Sequence, residues 1–136
     1  MISFLLAFAV AEPAVPPAVS ATEGLYRQRD AWNAGDLEGA LAAYCPEPEI
    51  TWVNRMGLTK GFDSFAEWMR RDFGDPARMG RMTIDLLDVR AASGDSALVS
   101  QRWDISRDGV RLMGGVSTQL WAPCRGRMRI VFEHAS

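Results

Sequence analysis

The chain is poor in the residues that most often carry reaction chemistry. Its 136 residues include one histidine and two cysteines. It has no Gly-rich phosphate loop and no Gly-x-Ser-x-Gly element, so the usual signatures of nucleotide binding and serine-nucleophile hydrolysis are missing. A lone histidine among scattered acids does not make a metal site, and neither a metal nor a cofactor is expected. Basic runs are also missing. Arg70-Arg71 is the longest and the formal net charge is −2, which argues against nucleic acid as a partner. Cys45 and Cys124 have no second ligand nearby and give no zinc signature. A bridge between them would need Cα atoms within about 7 Å. Two separate thiols are the simpler expectation, and a disulfide is chemically allowed if the chain is exported.

No apolar run is long enough to span a bilayer, which takes about 20 residues. Ile2 to Ala11 is almost wholly apolar but only ten residues long. That suits the core of a secretory signal, with Ala9-Val10-Ala11 or Val19-Ser20-Ala21 as the cleavage site, although no Lys or Arg precedes the run. The expectation is export to the periplasm or medium, with no membrane contact after cleavage; a cytoplasmic protein is the alternative. Pro13, Pro16 and Pro17 should hold Glu12 to Ala21 as an extended arm. Residues 1–21 thus read as signal and arm, and residues 22–136 as one domain.

An apolar fraction of 48% and a charged fraction of 24% belong to an ordinary globular chain. Ser20-Ala21-Thr22-Glu23 has the form of a capping box, predicting a helix to about Ala34. Gly35 ends it, and Asp36 caps a short second helix with Leu37, Leu41 and Tyr44 as its stripe. Glu49 to Asn54 alternates as a strand, and Met56 to Gly61 reads as a turn. A third helix begins at Asp63 or Ser64, carries Phe65, Trp68, Met69 and Phe73, and ends at Gly74-Asp75-Pro76. Four strands follow: Met82–Ala91, Ala97–Ser106, Val110–Trp121 and Arg127–His134. Asp108-Gly109 is a hairpin signal. Helices first and antiparallel strands after is an α+β order.

Two segments carry a resemblance. Trp32-Asn33-Ala34-Gly35-Asp36-Leu37-Glu38-Gly39 and the terminal Ile130-Val131-Phe132-Glu133-His134-Ala135-Ser136 resemble the nuclear transport factor 2-like superfamily, most closely its SnoaL-like small bacterial members. The resemblance covers about Thr22 to Ser136. It implies a cone-shaped, cystatin-like α+β fold, three helices packed on a curved antiparallel sheet around a ligand cavity. It also implies a homodimer paired through the outer sheet.

Strand alternation then sorts the candidate site residues. Met128, Ile130, Phe132 and His134 share the more apolar face of the last strand, which puts His134 at the cavity edge as a proton carrier. Arg102 and Asp104 share a face of their own strand. The similar kinase II association domain carries a pocket arginine in the matching strand, which makes Arg102 an anion holder and Asp104 the orienter of His134. Trp52, Tyr44, Trp68, Phe132 and Gln119 are the expected ligand-binding wall. Each of these readings competes with a plainer one: core aromatics, a surface ion pair, a histidine satisfied at a sheet end. Ketosteroid isomerase is similar at Asn33-Ala34-Gly35-Asp36-Leu37, yet its three catalytic positions fall near Val53-Asn54, Gln28 and Thr118-Gln119, none a carboxylate or tyrosine. That activity is not expected here. The leading expectation is binding of a small, mostly apolar molecule. A cofactor-independent acid–base enzyme of the isomerase, cyclase or dehydratase type is the alternative, and a structural dimerisation module the third.

Overall fold

The computed structural model describes residues 15–136. The apolar run Ile2 to Ala11 and its Ala9-Val10-Ala11 cleavage site lie outside the described residues. Helix α1 (Pro17–Asn33) starts three residues before the expected capping box. Pro17 sits in its first turn, where a missing N–H costs nothing and a fixed φ suits the helix. Residues Pro17 to Ala21 are therefore helical, which corrects the reading of an extended arm up to Ala21. Val19-Ser20-Ala21 lies inside α1, and Ala21 is fully buried. Ala21, Leu25, Gln28 and Trp32 recur every three or four residues and make the buried stripe of α1. Gly24 lies among them because a Cβ there would fall 2.5 Å from the Trp121 ring.

The segment after α1 is held by local chemistry. Gly35 takes φ 74°, which turns the chain out of the helix. Asp36 caps α2 (Leu37–Leu41) by accepting from the Gly39 N–H at 2.9 Å. Asn33 accepts from the Met82 N–H at 2.7 Å and donates to the Met82 carbonyl at 2.9 Å. Its side-chain amide thus pairs like one more strand residue and fixes the sheet edge to α1.

The remaining elements are β1 (Thr51–Asn54), β2 (Gly57–Lys60), α3 (Phe62–Phe73), α4 (Pro76–Met79), β3 (Arg81–Ala91), β4 (Ala97–Arg107), β5 (Val110–Cys124) and β6 (Arg127–Ala135). Two differ in kind from expectation. Met56 to Gly61 is not only a turn, since Gly57–Lys60 pairs back on β1. Pro76 opens a short helix after α3, with Asp75 accepting from the Ala77 N–H. The sheet order is β2-β1-β6-β5-β4-β3. Only β1 and β6 run parallel, because the chain returns to the sheet centre from its far edge.

Three bulges bend this sheet around the helices. Leu87, Leu112 and Val131 are each the extra residue at a register shift. The last matters most. Trp121 pairs with Ile130 and Leu120 with Phe132, so Val131 is unopposed. Ile130 points inward ahead of the bulge; Glu133 and Ala135 do so after it. Simple alternation from Ile130 had put Phe132 and His134 inside. That expectation is corrected: the bulge changes the phase, and both lie on the outer face, exposed.

Cys45 and Cys124 form a disulfide with Cα atoms 5.9 Å apart, closing a separation of 79 residues. This corrects the expectation of two separate thiols. The segment after α2 makes the contact possible. Cys45 N–H donates to the Ile130 carbonyl at 2.9 Å, and Ile130 N–H donates to the Ala43 carbonyl at 2.8 Å. Ala43 to Cys45 thus runs beside β6 and delivers Tyr44 to the inner side of the sheet.

Candidate functional site

The inner faces of β4, β5 and β6 carry an apolar field crossed by a polar stripe. Alternate residues Val99, Gln101, Trp103 and Ile105 of β4 face the helices. Ser117, Gln119 and Trp121 do the same from β5. Register sets Gln101 beside Ser117 and Gln119 beside Glu133. Gln101, Ser117, Gln119 and Glu133 are all buried. Above them α1, α2 and α3 enclose a cavity of about 90 Å³.

The wall is largely aromatic. Phe65 is its hub, with ring centroids 4.7 Å from Tyr44 and 5.0 Å from Trp52. Trp52 lies 5.2 Å from Trp68. Trp32, Phe73 and Trp103 complete the aromatic lining, and Met69, Met82 and Met113 supply flexible apolar contacts. The space holds several water-sized spheres but is well below the roughly 300 Å³ at which drug-sized pockets begin. It fits a small molecule.

Glu133 is the only Asp, Glu, Lys, Arg or His among the described lining residues. It is 6% exposed. Its Oε1 accepts from Trp52 Nε1 at 3.1 Å and from the Tyr44 hydroxyl at 3.3 Å. Its Oε2 accepts from Gln119 Nε2. Gln119 is itself oriented, because its Oε1 accepts from Trp121 Nε1 at 2.9 Å. Burial pushes the Glu133 carboxyl up from its ordinary value, and the hydrogen bonds from Gln119, Trp52 and Tyr44 pull it part of the way back. Burial, and then the Glu133 charge, hold the Tyr44 hydroxyl well above the ordinary phenol range. Tyr44 is therefore a neutral donor at physiological pH.

Gln101 is 4% exposed and its Oε1 has no hydrogen-bond partner. An unpaired buried carbonyl of this kind costs about 1–3 kcal/mol. Ser117 beside it is engaged, accepting from Trp103 Nε1 at 2.9 Å.

The expected site residues divide into two groups. Trp52, Tyr44, Trp68 and Gln119 come together in the cavity wall. His134, Asp104, Arg102 and Phe132 do not, and their placement at the cavity is corrected. Arg102 and Asp104 sit on the outer face of β4, opposite Trp103. Arg102 lies 4.0 Å from Asp85 on the neighbouring strand, an exposed pair. Asp104 pairs with Arg111, not with His134. The expected site residues did not include Glu133, Gln101, Gln28 or Trp103. For Glu133 a signal was present: Ile130-Val131-Phe132 is unbroken apolar sequence, where alternation cannot fix which face the next residue takes. Gln28 and Gln119 both line this cavity.

Among the described residues, the one cluster of possible metal-binding side chains is Cys45, Glu47 and Cys124. Its two sulfurs are bonded to each other and are not free as ligands.

Comparison with known proteins fits this architecture. An NTF-2 like protein of unknown function from Shewanella oneidensis MR-1 is 24% identical, with a TM-score of 0.81 over 88% of this chain and 98% of that one. A domain of unknown function with a cystatin-like fold from Nostoc punctiforme is 15% identical, with a TM-score of 0.71 over 91% of this chain and 78% of that one. A putative calcium/calmodulin-dependent protein kinase type II association domain from Thiobacillus denitrificans is 19% identical, with a TM-score of 0.65 over 92% and 98%. These similarities establish the nuclear transport factor 2-like fold. No curated protein matches in sequence. The SnoaL-like domain profile matches residues 25–131, most of the chain. By that match, the chain belongs to the SnoaL-like domain family.

Proposed function

We propose that this protein binds a small, mostly apolar molecule between its helices and the inner face of its sheet. The observation that carries the reading is one buried carboxyl group, Glu133, in an otherwise aromatic and aliphatic cavity. A module that only had to pack would be as stable or more so with an apolar residue there, because burying an acid carries a desolvation cost. A polar anchor in an apolar wall is instead the usual composition of a ligand site. Native mass spectrometry of the protein purified from its own host tests this. A co-purified small mass that disappears in a cavity-filling Ala40→Trp variant supports binding. A folded wild-type protein that carries no mass and takes up no small aromatic probe refutes it.

A second reading is a cofactor-independent acid–base enzyme, with Glu133 in the role that sequence reasoning gave to His134. Its support is the upward push of burial on a carboxyl that lines the cavity. Solvent deuterium incorporation into cyclic ketones checks it. Exchange that vanishes in Glu133→Gln favours the enzyme, and absence of exchange with bound ketone removes it.

We also propose a homodimer through the outer sheet face, where Leu98 and Phe132 are exposed in one row across the strands. Sedimentation of Phe132→Glu should then show a monomer. Export is proposed on the Cys45–Cys124 disulfide, a bond that persists in oxidising compartments. The intact mass of the host protein, measured in the same spectrum, tests it.

A further inference from the structure

The charge inventory of the cavity narrows what it can hold. Its one ionisable residue besides Tyr44 is an acid, and no Arg, Lys or His is among the described lining residues. A carboxylate or phosphate ligand would have to lose its water beside Glu133 with no counter-charge, which is strongly unfavourable. Arg102, which could have received an anion, is on the other side of the sheet. The three groups that reach Glu133 are neutral donors. They satisfy hydrogen-bonding sites without balancing a charge. A carboxylate offers about four acceptor sites, so one remains after these three.

The second observation is independent of Glu133. Gln101, 4% exposed, lines the same cavity with its Oε1 unpartnered. It lies diagonally across the strands from Glu133, one cross-strand row further along the inner face. Both groups are short of the same thing, a donor. The rings around them act in the same direction. Tyr44, Trp52, Phe65 and Trp68 cluster with centroids 4.7 to 6.2 Å apart. The negative faces of such rings attract a cation within about 6 Å of a centroid.

Resting on the binding function proposed above, we infer that the occupant is a small organic cation, a protonated amine whose ammonium N–H groups meet Glu133 and whose further donor can reach Gln101. The cavity volume limits its body to about one small ring or a short aliphatic chain. The carboxylate supplies the counter-charge, the rings supply the apolar and cation–π contacts, and Gln101 selects an occupant with a second N–H or O–H.

Three near-isosteric probes test the charge directly on the full-length protein: benzylamine, benzyl alcohol and benzoate, titrated calorimetrically at near-neutral pH. Benzylamine should bind about tenfold or more tightly than benzyl alcohol, with benzoate undetected. Glu133→Gln should remove the preference for the amine. If that variant does not fold, the wild-type series still decides. Equal binding of amine and alcohol, or a preference for benzoate, overturns the cation inference and leaves the binding function standing. A preference for the amine that survives in folded Glu133→Gln also overturns it. If none of the three probes binds to folded wild-type protein, the binding function falls with it.

Discussion

The two faces of one sheet differ more than any two elements of this molecule. On β4, Gln101 and Trp103 face inward; Arg102 and Asp104, their immediate neighbours, face solvent. On β6 the same holds for Glu133 and His134. The inner side is aromatic, nearly free of charge, and keeps one acid among three neutral donors. The outer side carries ion pairs that water largely screens, such as Asp104–Arg111 and Arg102–Asp85. An acid inside and an acid outside are therefore different chemical objects. Desolvation raises the carboxyl of Glu133, whereas Asp104 keeps an arginine partner and open solvent. Residue type says which groups are present. The face decides what they can do.

The two faces should differ most in what they lose when side-chain mass is removed from each. Trp121 is fully buried, packs on Gly24, and holds Gln119 in position for Glu133. Trp121→Ala should cost about 5 kcal/mol, the upper end for a large aromatic, because it also leaves Gln119 unpaired. Phe132→Ala, on the outer face, should cost less than about 1 kcal/mol in the monomer. Urea unfolding of the two variants measures both, and similar costs would contradict the two-sided picture.

Next in size is the disulfide. It ties the Tyr44 segment to the end of β5, and so holds part of the inner wall to the sheet. Closing a separation of 79 residues should be worth about 4 kcal/mol on the chain-entropy account. The paired replacement of Cys45 and Cys124 by serine should lower unfolding stability by that order and weaken binding of benzyl alcohol, since Tyr44 loses its anchor. A loss of stability with unchanged binding would show that the β6 pairing alone positions Tyr44.

How much of this was legible beforehand follows from the same two faces. The helix break at Asn33-Ala34-Gly35-Asp36, the succession of helices and then strands and the α+β class could be read from local chemistry and resemblance, because glycine, caps and alternation act over a few residues. Tyr44, Trp52, Trp68 and Gln119, which sequence reasoning put in a binding wall, line the cavity. Glu133 and His134 were exchanged because one unopposed residue, Val131, reverses the phase, and a bulge depends on pairing with a strand distant in sequence. Arg102 failed for a different reason. Its strand phase was right, but which face meets the helices is set by how the sheet curls, and a charged pair on alternate residues does not encode that. The disulfide was not readable at all, since it needs the distance between two segments 79 residues apart.

A smaller effect tests the acid inside. The folded-state value of Glu133 is raised above the ordinary 4.5, so the native state holds that proton more tightly than the unfolded chain does. The stabilising contribution is therefore fully present below about 4.5 and is lost as pH rises through the raised value. Each pH unit between the two values is worth about 1.4 kcal/mol. Urea unfolding of wild type and Glu133→Gln across this window should show the variant gaining on wild type as pH rises. Every other carboxylate is common to both chains and cancels in the difference. Parallel profiles would mean that Glu133 is solvated, and the inner face would lose its distinguishing feature.

The smallest expected effects belong to the outer face. His134 and Arg102 are groups that sequence reasoning assigned to the site, yet both are exposed, and Arg102 meets its nearest acid only at 4.0 Å. An exposed pair of this kind contributes between about 0 and 1 kcal/mol. His134→Ala and Arg102→Ala should each leave unfolding stability within about 0.5 kcal/mol and change benzylamine affinity by less than about twofold. Glu133→Gln, one residue from His134, should abolish the preference for the amine. The contrast between adjacent residues on one strand is what a general charge effect could not produce. A loss of binding in His134→Ala comparable to that in Glu133→Gln would mean that the two faces communicate through β6, and that the phase set by Val131 does not isolate them.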